Sequence, residues 1–394
     1  MTREILSISL IKVFSVIFSF ILPMVVARQY DLVEYGVFNY LTAMMVYVSI
    51  FQCGITPSLR NSLSKLSDVE DASETISFSI MQTISWVLLL VLVASLAFFY
   101  GDFDREYYVF ILATIFTLFS PVVATYFDYK MESVAYKKGE FICQILVSSV
   151  VVFMCMIELH VALIASVMIS YRTIYALYKC LSTKLLRIAS QRLDVKAFFQ
   201  YLHLGSGNSN YMLLQILSVA SMILLTVYAE SSLGIEEYGI YATYYKFFFF
   251  PVQIFAFAAP VIWMRYAQYK AGTQELTGVS YFFALLLFAI LFWVVLMVAA
   301  ADWFVRLYLG FEVDLEVSIF YLGLLYLSFQ LSDFVSVFLN ANGSFLIQTV
   351  FSAVTFSFLL FLFKSNIEFD SALLYFSFSK FLTVLFLVYY WRKS

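Results

Sequence analysis

The sequence predicts an all-α polytopic membrane protein, with twelve transmembrane helices in two parallel-repeat lobes of six around a central cavity. Three observations carry that prediction. The chain is 63% hydrophobic and only 12% charged, about half the charged share of a soluble domain and too little to cover a surface in water. Apolar runs of membrane-spanning length follow one another from end to end. Two stretches half the chain apart also repeat each other in register.

The runs are Ile5–Val26, Gly36–Leu59, Ile76–Tyr100, Tyr107–Tyr129, Phe141–Ile157 and Val161–Tyr178 in the first half. The second half supplies Tyr211–Tyr228, Gly239–Met264, Val279–Ala300, Val317–Leu339, Phe345–Phe363 and Ala372–Trp391. Each is near the length that crosses a hydrocarbon core of ~30 Å as a helix. Helix is the required conformation, because lipid offers backbone groups no water to bond and the runs lack the alternation of a barrel strand. The first run reads as a spanning segment rather than a cleaved leader, since no small-residue cleavage site follows it.

Basic residues set the orientation. With the N-terminus inside, Arg60, Lys137, Lys184, Arg265 and most other Lys and Arg fall on the cytoplasmic side, while Arg28, Arg105, Arg306 and Lys364 fall outside. Both termini are then cytoplasmic, and the loop from Asp302 to Glu316 is external. The longest polar stretch, "KLLRIASQRLDVKAFFQYLHLGSGNSN" (residues 184–210), becomes a cytoplasmic linker between lobes 1–183 and 211–394. Its basic residues suit anionic headgroups, so membrane lipids rather than nucleic acid are the expected partner.

The four cysteines lie in or at the ends of apolar runs without a Cys-x-x-Cys pair, and His160 and His203 are isolated in sequence. No metal or cofactor site is expected from them. All five prolines stand within spans or at their ends, where each removes a helix hydrogen bond and bends the axis.

"VEYGVFNYLTAMMVYVSIFQCGITP" begins at Val33, and "EEYGIYATYYKFFFFPVQIFAFAAP" begins at Glu236. Both carry Glu-Tyr-Gly, and Gly36 to Pro57 and Gly239 to Pro260 are equal steps at an offset of 203. The stretches open the second and eighth spans. Six crossings separate them, so the halves run the same way through the membrane, related by a pseudo-two-fold along its normal.

"MVVARQYDLVEYGVFNYLTAMMVYVSIFQCGITPSLRNSL" resembles the first hairpin of Wzx-type polysaccharide flippases of the multidrug/oligosaccharidyl-lipid/polysaccharide exporter superfamily. Ala27, Arg28, Tyr35, Gly36 and Gly54 stand where that family places its Ala-Arg, its Tyr-Gly loop and a later glycine. The resemblance implies export of a lipid-linked oligosaccharide, such as an O-antigen repeat unit on polyprenyl pyrophosphate. Transport would run from the cytoplasmic to the periplasmic leaflet of a bacterial inner membrane, alongside other polysaccharide-assembly proteins. It implies no enzyme activity. Alternatives are a lipid II or multidrug exporter of the same fold, or a membrane polysaccharide polymerase. The short external loops argue against the last.

Lys12, Arg172, Lys246 and Lys380 lie inside spans. Lys380 is the deepest, roughly 12 Å from the nearer end at ~1.5 Å per residue. A charge at the bilayer centre costs ~2.5–3.5 kcal/mol even on an insertion scale, so these four are candidates to line a wet cavity and draw in an anionic head group. Asp333 is the one carboxylate clearly inside a span in this reading, with Asp128 near the end of another, and Asp333 is the candidate for proton coupling. A Tyr-rich run, "YATYYKFFFF", surrounds Lys246 and suits either a lipid-facing aromatic belt or sugar stacking.

Overall fold

The structure, a computed structural model, describes residues 2–52, 55–63, 69–101, 104–130, 132–183, 209–252, 279–310, 318–342 and 344–393, with a few scattered positions between 253 and 278. In the first part of the chain the helices are α1 (Thr2–Gln29), α2 (Leu32–Met44), a 3₁₀ segment (Met45–Gln52), α3 (Ile55–Leu63) and α4 (Val69–Tyr100). They continue with α5 (Arg105–Phe116), α6 (Phe119–Tyr129), α7 (Ser133–Met156) and α8 (Val161–Ser182). The rest are α9 (Ser209–Leu233), α10 (Ile235–Phe248), α11 (Val279–Leu309), α12 (Ile319–Ala341), α13 (Phe345–Lys364) and α14 (Phe369–Lys393).

Among the described residues nine helical stretches are long and apolar enough to cross a membrane, from Thr75–Tyr100 to Phe369–Tyr390. They match the third to seventh and ninth to twelfth runs read from the sequence. The first run lies on α1. The second and eighth fall on α2 with its continuation and on α10, and the eighth extends past the continuously described residues.

Two of the expected spans are broken helices. The second run starts as α2, tightens to 3₁₀ at Met45 and resumes as α3. The fourth is interrupted at Thr117 and Leu118, between α5 and α6. Pro121 accounts for that break, since it has no N–H to give the carbonyl of Thr117 and its ring crowds that carbonyl. Ser120 N–H bonds Thr117 O instead, at 3.2 Å, and the Thr117 hydroxyl donates to Thr114 O at 2.6 Å.

Two further boundaries depart from the sequence reading. The expected external loop 302–316 is shorter, because α11 runs on to Leu309 and Asp302 accepts a hydrogen bond from Tyr244 Oη at 2.7 Å within it. The fifth span begins at Ser133 rather than Phe141, which brings Glu140 into the helix. Most of linker 184–210 lies outside the described residues.

The chain divides into two compact units, Met1–Ala43 with Ile216–Ser394, and Met44–Gln215. In the second, Ile55, Leu59, Leu63, Ile76, Ile80, Val122, Val123, Tyr136 and Cys180 form one core. Several serines and threonines inside these apolar helices bond their own helix. Ser79, Thr83 and Ser85 of α4 each donate to the carbonyl four residues back, so these hydroxyls are paired within the helix. In the first unit α12 packs along α14 through Val335, Leu339, Val384 and Leu387, and Thr355 and Thr383 join α13 to α14 by a 3.3 Å hydroxyl contact.

Large apolar residues left exposed form stripes one helical turn apart, at Leu88, Leu92, Leu96 and Phe99 on α4 and at Phe288, Phe292 and Val295 on α11. Such faces suit lipid and not water.

Candidate functional site

Helix α7 has two chemically opposite faces. Ile142, Leu146, Val150 and Phe153 are exposed, while Glu140, Gln144 and Ser148 are buried against the protein. Gly139 admits α8 closely at the buried face, since a Cβ there would stand 2.0 Å from Tyr175 Oη. That approach sets Glu140 beside α8. One of its carboxylate oxygens, Oε2, receives Lys137 Nζ at 2.8 Å, and the other, Oε1, lies 3.7 Å from Arg172 Nε.

Arg172 stands on the face of α8 opposite the exposed Ile174, Tyr178 and Leu181, so it points away from the lipid side. Its Nε donates to Tyr171 Oη at 3.0 Å. No described residue accepts a hydrogen bond from its two terminal amino groups, and its side chain is 37% exposed against 6% for Glu140. A guanidinium presented this way has its forked end open. Asp128 of α6 joins the neighbourhood, near Ser133 and within electrostatic reach of Arg60, Lys137 and Glu140.

In the first unit, the structure places Asp333 of α12 and Lys380 of α14 within electrostatic reach of each other, with Lys380 Nζ 4.6 Å from the centroid of the Phe329 ring. Lys380 lies opposite the exposed Phe378, Leu382, Leu385 and Tyr389, again away from lipid. Asp333 is exposed, although Phe320 is the only exposed large apolar residue on α12. A carboxylate in mid-span is costly in lipid, which makes its nearness to Lys380 the notable feature of this helix.

Lys246 has a different setting. Its ammonium donates to Asn39 Oδ1, and the rings of Tyr35 and Phe38 lie 6.0 and 5.9 Å away. Tyr35 Oη and Thr243 Oγ1 share a hydrogen bond of 2.6 Å. This lysine joins α10 to α2. The side chain of Lys12 lies outside the described residues.

Sequence reading missed Glu140 and counted Asp333 as the only carboxylate clearly within a span. The structure corrects this. A signal was present in the spacing, since Glu140, Gln144 and Ser148 recur every fourth residue beside an apolar stripe. Arg28 also gains a definite role. Its Nη2 donates to Leu307 O at 2.7 Å and its Nε to Tyr308 O at 3.4 Å, capping α11 where Gly310 turns out of the helix at φ 87°.

Solved structures similar to this chain include transporters. An outward-facing multidrug resistance MATE family transporter of the MOP superfamily matches with TM-score 0.68 and 12% identity, over 99% of this chain and 95% of that one. An inward-facing structure of such a transporter matches at 0.65 and 11%, over 96% and 94%. A MOP superfamily transporter from Pyrococcus furiosus, described as having a binding pocket of reverse polarity, matches at 0.67 and 11%, over 99% and 95%. The chain has the fold of these MATE transporters. No family model and no curated protein matches the sequence. At such identities the likeness establishes the fold over the full chain length and leaves the substrate to the residues.

Proposed function

We propose that the chain is a flippase that moves a polyprenyl-pyrophosphate-linked oligosaccharide, such as an O-antigen repeat unit, from the cytoplasmic to the periplasmic leaflet of a bacterial inner membrane. Lobes 1–183 and 211–394, each of six spans, open alternately to either side about a central cavity. The lipid tail stays in the bilayer while the head group crosses between them. Both termini and the linker 184–210 are cytoplasmic, and other polysaccharide-assembly proteins act before and after it.

The observation that carries this reading is the placement of Arg172 and Lys380. Both lie in mid-span on the faces opposite the exposed apolar stripes. Arg172 keeps the forked end of its guanidinium open. An open guanidinium on a protein-facing surface suits a phosphate, which it grips with two parallel bonds. The membrane potential favours the outward step, because moving two negative charges out of an interior-negative cell releases up to ~4.6 kcal/mol per 100 mV, at ~2.3 per charge. Asp333, within electrostatic reach of Lys380, is the residue proposed to couple protons.

A second reading, a multidrug exporter, draws on the structural neighbours and on the carboxylates Glu140 and Asp333, which suit a cation. One experiment separates the two. Expressed in a strain lacking its polysaccharide flippase, the wild-type chain should restore surface polysaccharide, and Arg172→Ala and Lys380→Ala should not. Failure to restore it, together with resistance to cationic drugs, would favour the exporter.

A further inference from the structure

We propose that Glu140 is an exchangeable counterion that occupies Arg172 until a phosphate or pyrophosphate group displaces it, and that Arg172 with Lys137 forms the phosphate-binding pair. The proposal rests on the anionic-substrate reading above and gives that reading its site.

The geometry of the cluster is unequal. Glu140 makes its short bond, 2.8 Å, to Lys137. Its other oxygen stops 3.7 Å from Arg172, beyond the ~2.7–2.9 Å of a charge-assisted hydrogen bond. Arg172 is therefore held in place by Tyr171 Oη at 3.0 Å and neutralised only loosely by Glu140. Because the tyrosine takes Nε, the guanidinium plane is fixed while both terminal amino groups stay open. A phosphate reaching them gains the two-pronged bond that Glu140 does not make.

Charge balance points the same way. Among the described residues the charged groups in the cluster include Lys137 and Glu140 on α7, Arg172 on α8, and Asp128 on α6 with Arg60 on α3. Tyr136, Cys143, Tyr171 and Tyr175 also lie around Glu140. Lys137, Glu140 and Arg172 together leave one positive charge over. The arrangement thus attracts an anion and holds its own carboxylate as the stand-in when none is bound.

Binding measurements on the full-length protein in nanodiscs of neutral lipid test this. Inorganic pyrophosphate and farnesyl pyrophosphate are titrated separately, so that binding of the head group alone is distinguished from binding that needs a lipid tail. Glu140→Gln removes the competing charge and should bind one or both probes about tenfold or more tightly than wild type. Glu140→Asp, which keeps the charge, should stay near the wild type. Arg172→Ala should remove the gain in the Glu140→Gln background. Unchanged or weaker binding by Glu140→Gln, or a gain that persists without Arg172, overturns the proposal. If Glu140→Gln is not recovered folded, Arg172→Ala in the native background decides. A loss of affinity of about tenfold supports the exchange, and unchanged affinity overturns it. These titrations do not depend on oligosaccharide export. Loss of the flippase reading with exchange intact, and the converse, are distinct results.

Discussion

Gly36 and Gly239, the glycines of the two echoed Glu-Tyr-Gly motifs, lie against each other, so that a Cβ added to Gly239 would stand 3.1 Å from Gly36 Cα. The contacts around them exchange under the offset of 203. Tyr35 bonds Thr243, and their counterparts Tyr238 and Tyr40 meet edge to face with ring centroids 5.8 Å apart. Reciprocal contact of this kind marks a local two-fold. The contacts advance together along both helices, from Gly36 with Ile235 to Asn39 with Lys246. Helices α2 and α10 therefore run the same way here, as a parallel repeat requires.

The first prediction follows from that contact. Alanine is a better helix former than glycine by ~1 kcal/mol, so Gly36→Ala would stabilise an unpacked α2. Here the new Cβ would stand 2.1 Å from the carbonyl oxygen of Ile235, and backbone cannot step aside as a flexible side chain can. Overpacking of this kind costs ~1–3 kcal/mol and outweighs the propensity gain. Gly36→Ala should lower the thermal unfolding midpoint in detergent, and Gly239→Ala should lower it less. A raised midpoint for Gly36→Ala would show that α2 and α10 do not pack this closely.

The second prediction concerns Lys246, which joins two helices through Asn39. Asn39→Ala leaves an ammonium among Tyr35 and Phe38 without its acceptor, and should cost ~1–3 kcal/mol of stability. Lys246→Met removes charge and need together and should cost less. The double variant should lie well short of the two losses combined, with a coupling of ~0.5–3 kcal/mol. Additive losses in thermal unfolding would mean that the two side chains act independently.

Much of this fold was legible because lipid imposes one conformation on any long apolar run. The nine stretches long and apolar enough to cross, among the described residues, follow from hydropathy alone. The breaks were harder to read. Pro121 announces the interruption at Thr117, but no residue of "MVYVSIFQ" forces a 3₁₀ segment at Met45–Gln52. The charged candidates were found from depth in the sequence, whereas their surroundings depend on which neighbours tertiary packing brings. Lys246 and Arg172 look alike as single basic residues in apolar runs. Packing gave one an asparagine on α2 and the other an open end beside Glu140. Glu140 was hidden by its position near two lysines, which read as the start of a loop.

The third prediction fixes orientation. The turns at Glu158 and Asn366 close α7 and α13 with left-handed residues, φ 52° and 49°. They end the fifth and eleventh spans, which the repeat relates, so they should share one side of the membrane, the periplasmic. Glu132, at the start of α7, should be cytoplasmic. In a cysteine-free variant, cysteines at 158 and 366 should react with an impermeant maleimide from outside, and one at 132 should react only after lysis. Labelling of 158 and 366 from opposite sides would rule out the parallel repeat.

The last prediction concerns Asp333 and Lys380. If Lys380 faced lipid, replacing it by methionine would ease insertion by ~2.5–3.5 kcal/mol on the insertion scale, and the variant would accumulate to higher levels. The structure turns Lys380 away from the exposed apolar stripe of α14 and towards Asp333. Lys380→Met should then bring no gain, because it strips the neighbouring carboxylate of its counterion, and membrane levels should stay level or fall. Asp333→Asn should behave likewise. The double neutral variant should recover wild-type levels, since removing both opposite charges together leaves neither stranded. Export separates a structural pair from a working one. If Asp333 and Lys380 only hold α12 to α14, the double variant transports as well as it folds. If Lys380 draws the head group and Asp333 answers it, the double variant reaches the membrane at wild-type levels yet restores little surface polysaccharide in a flippase-null strain. Full restoration by that variant would remove both residues from the transport path and leave the anion to Arg172.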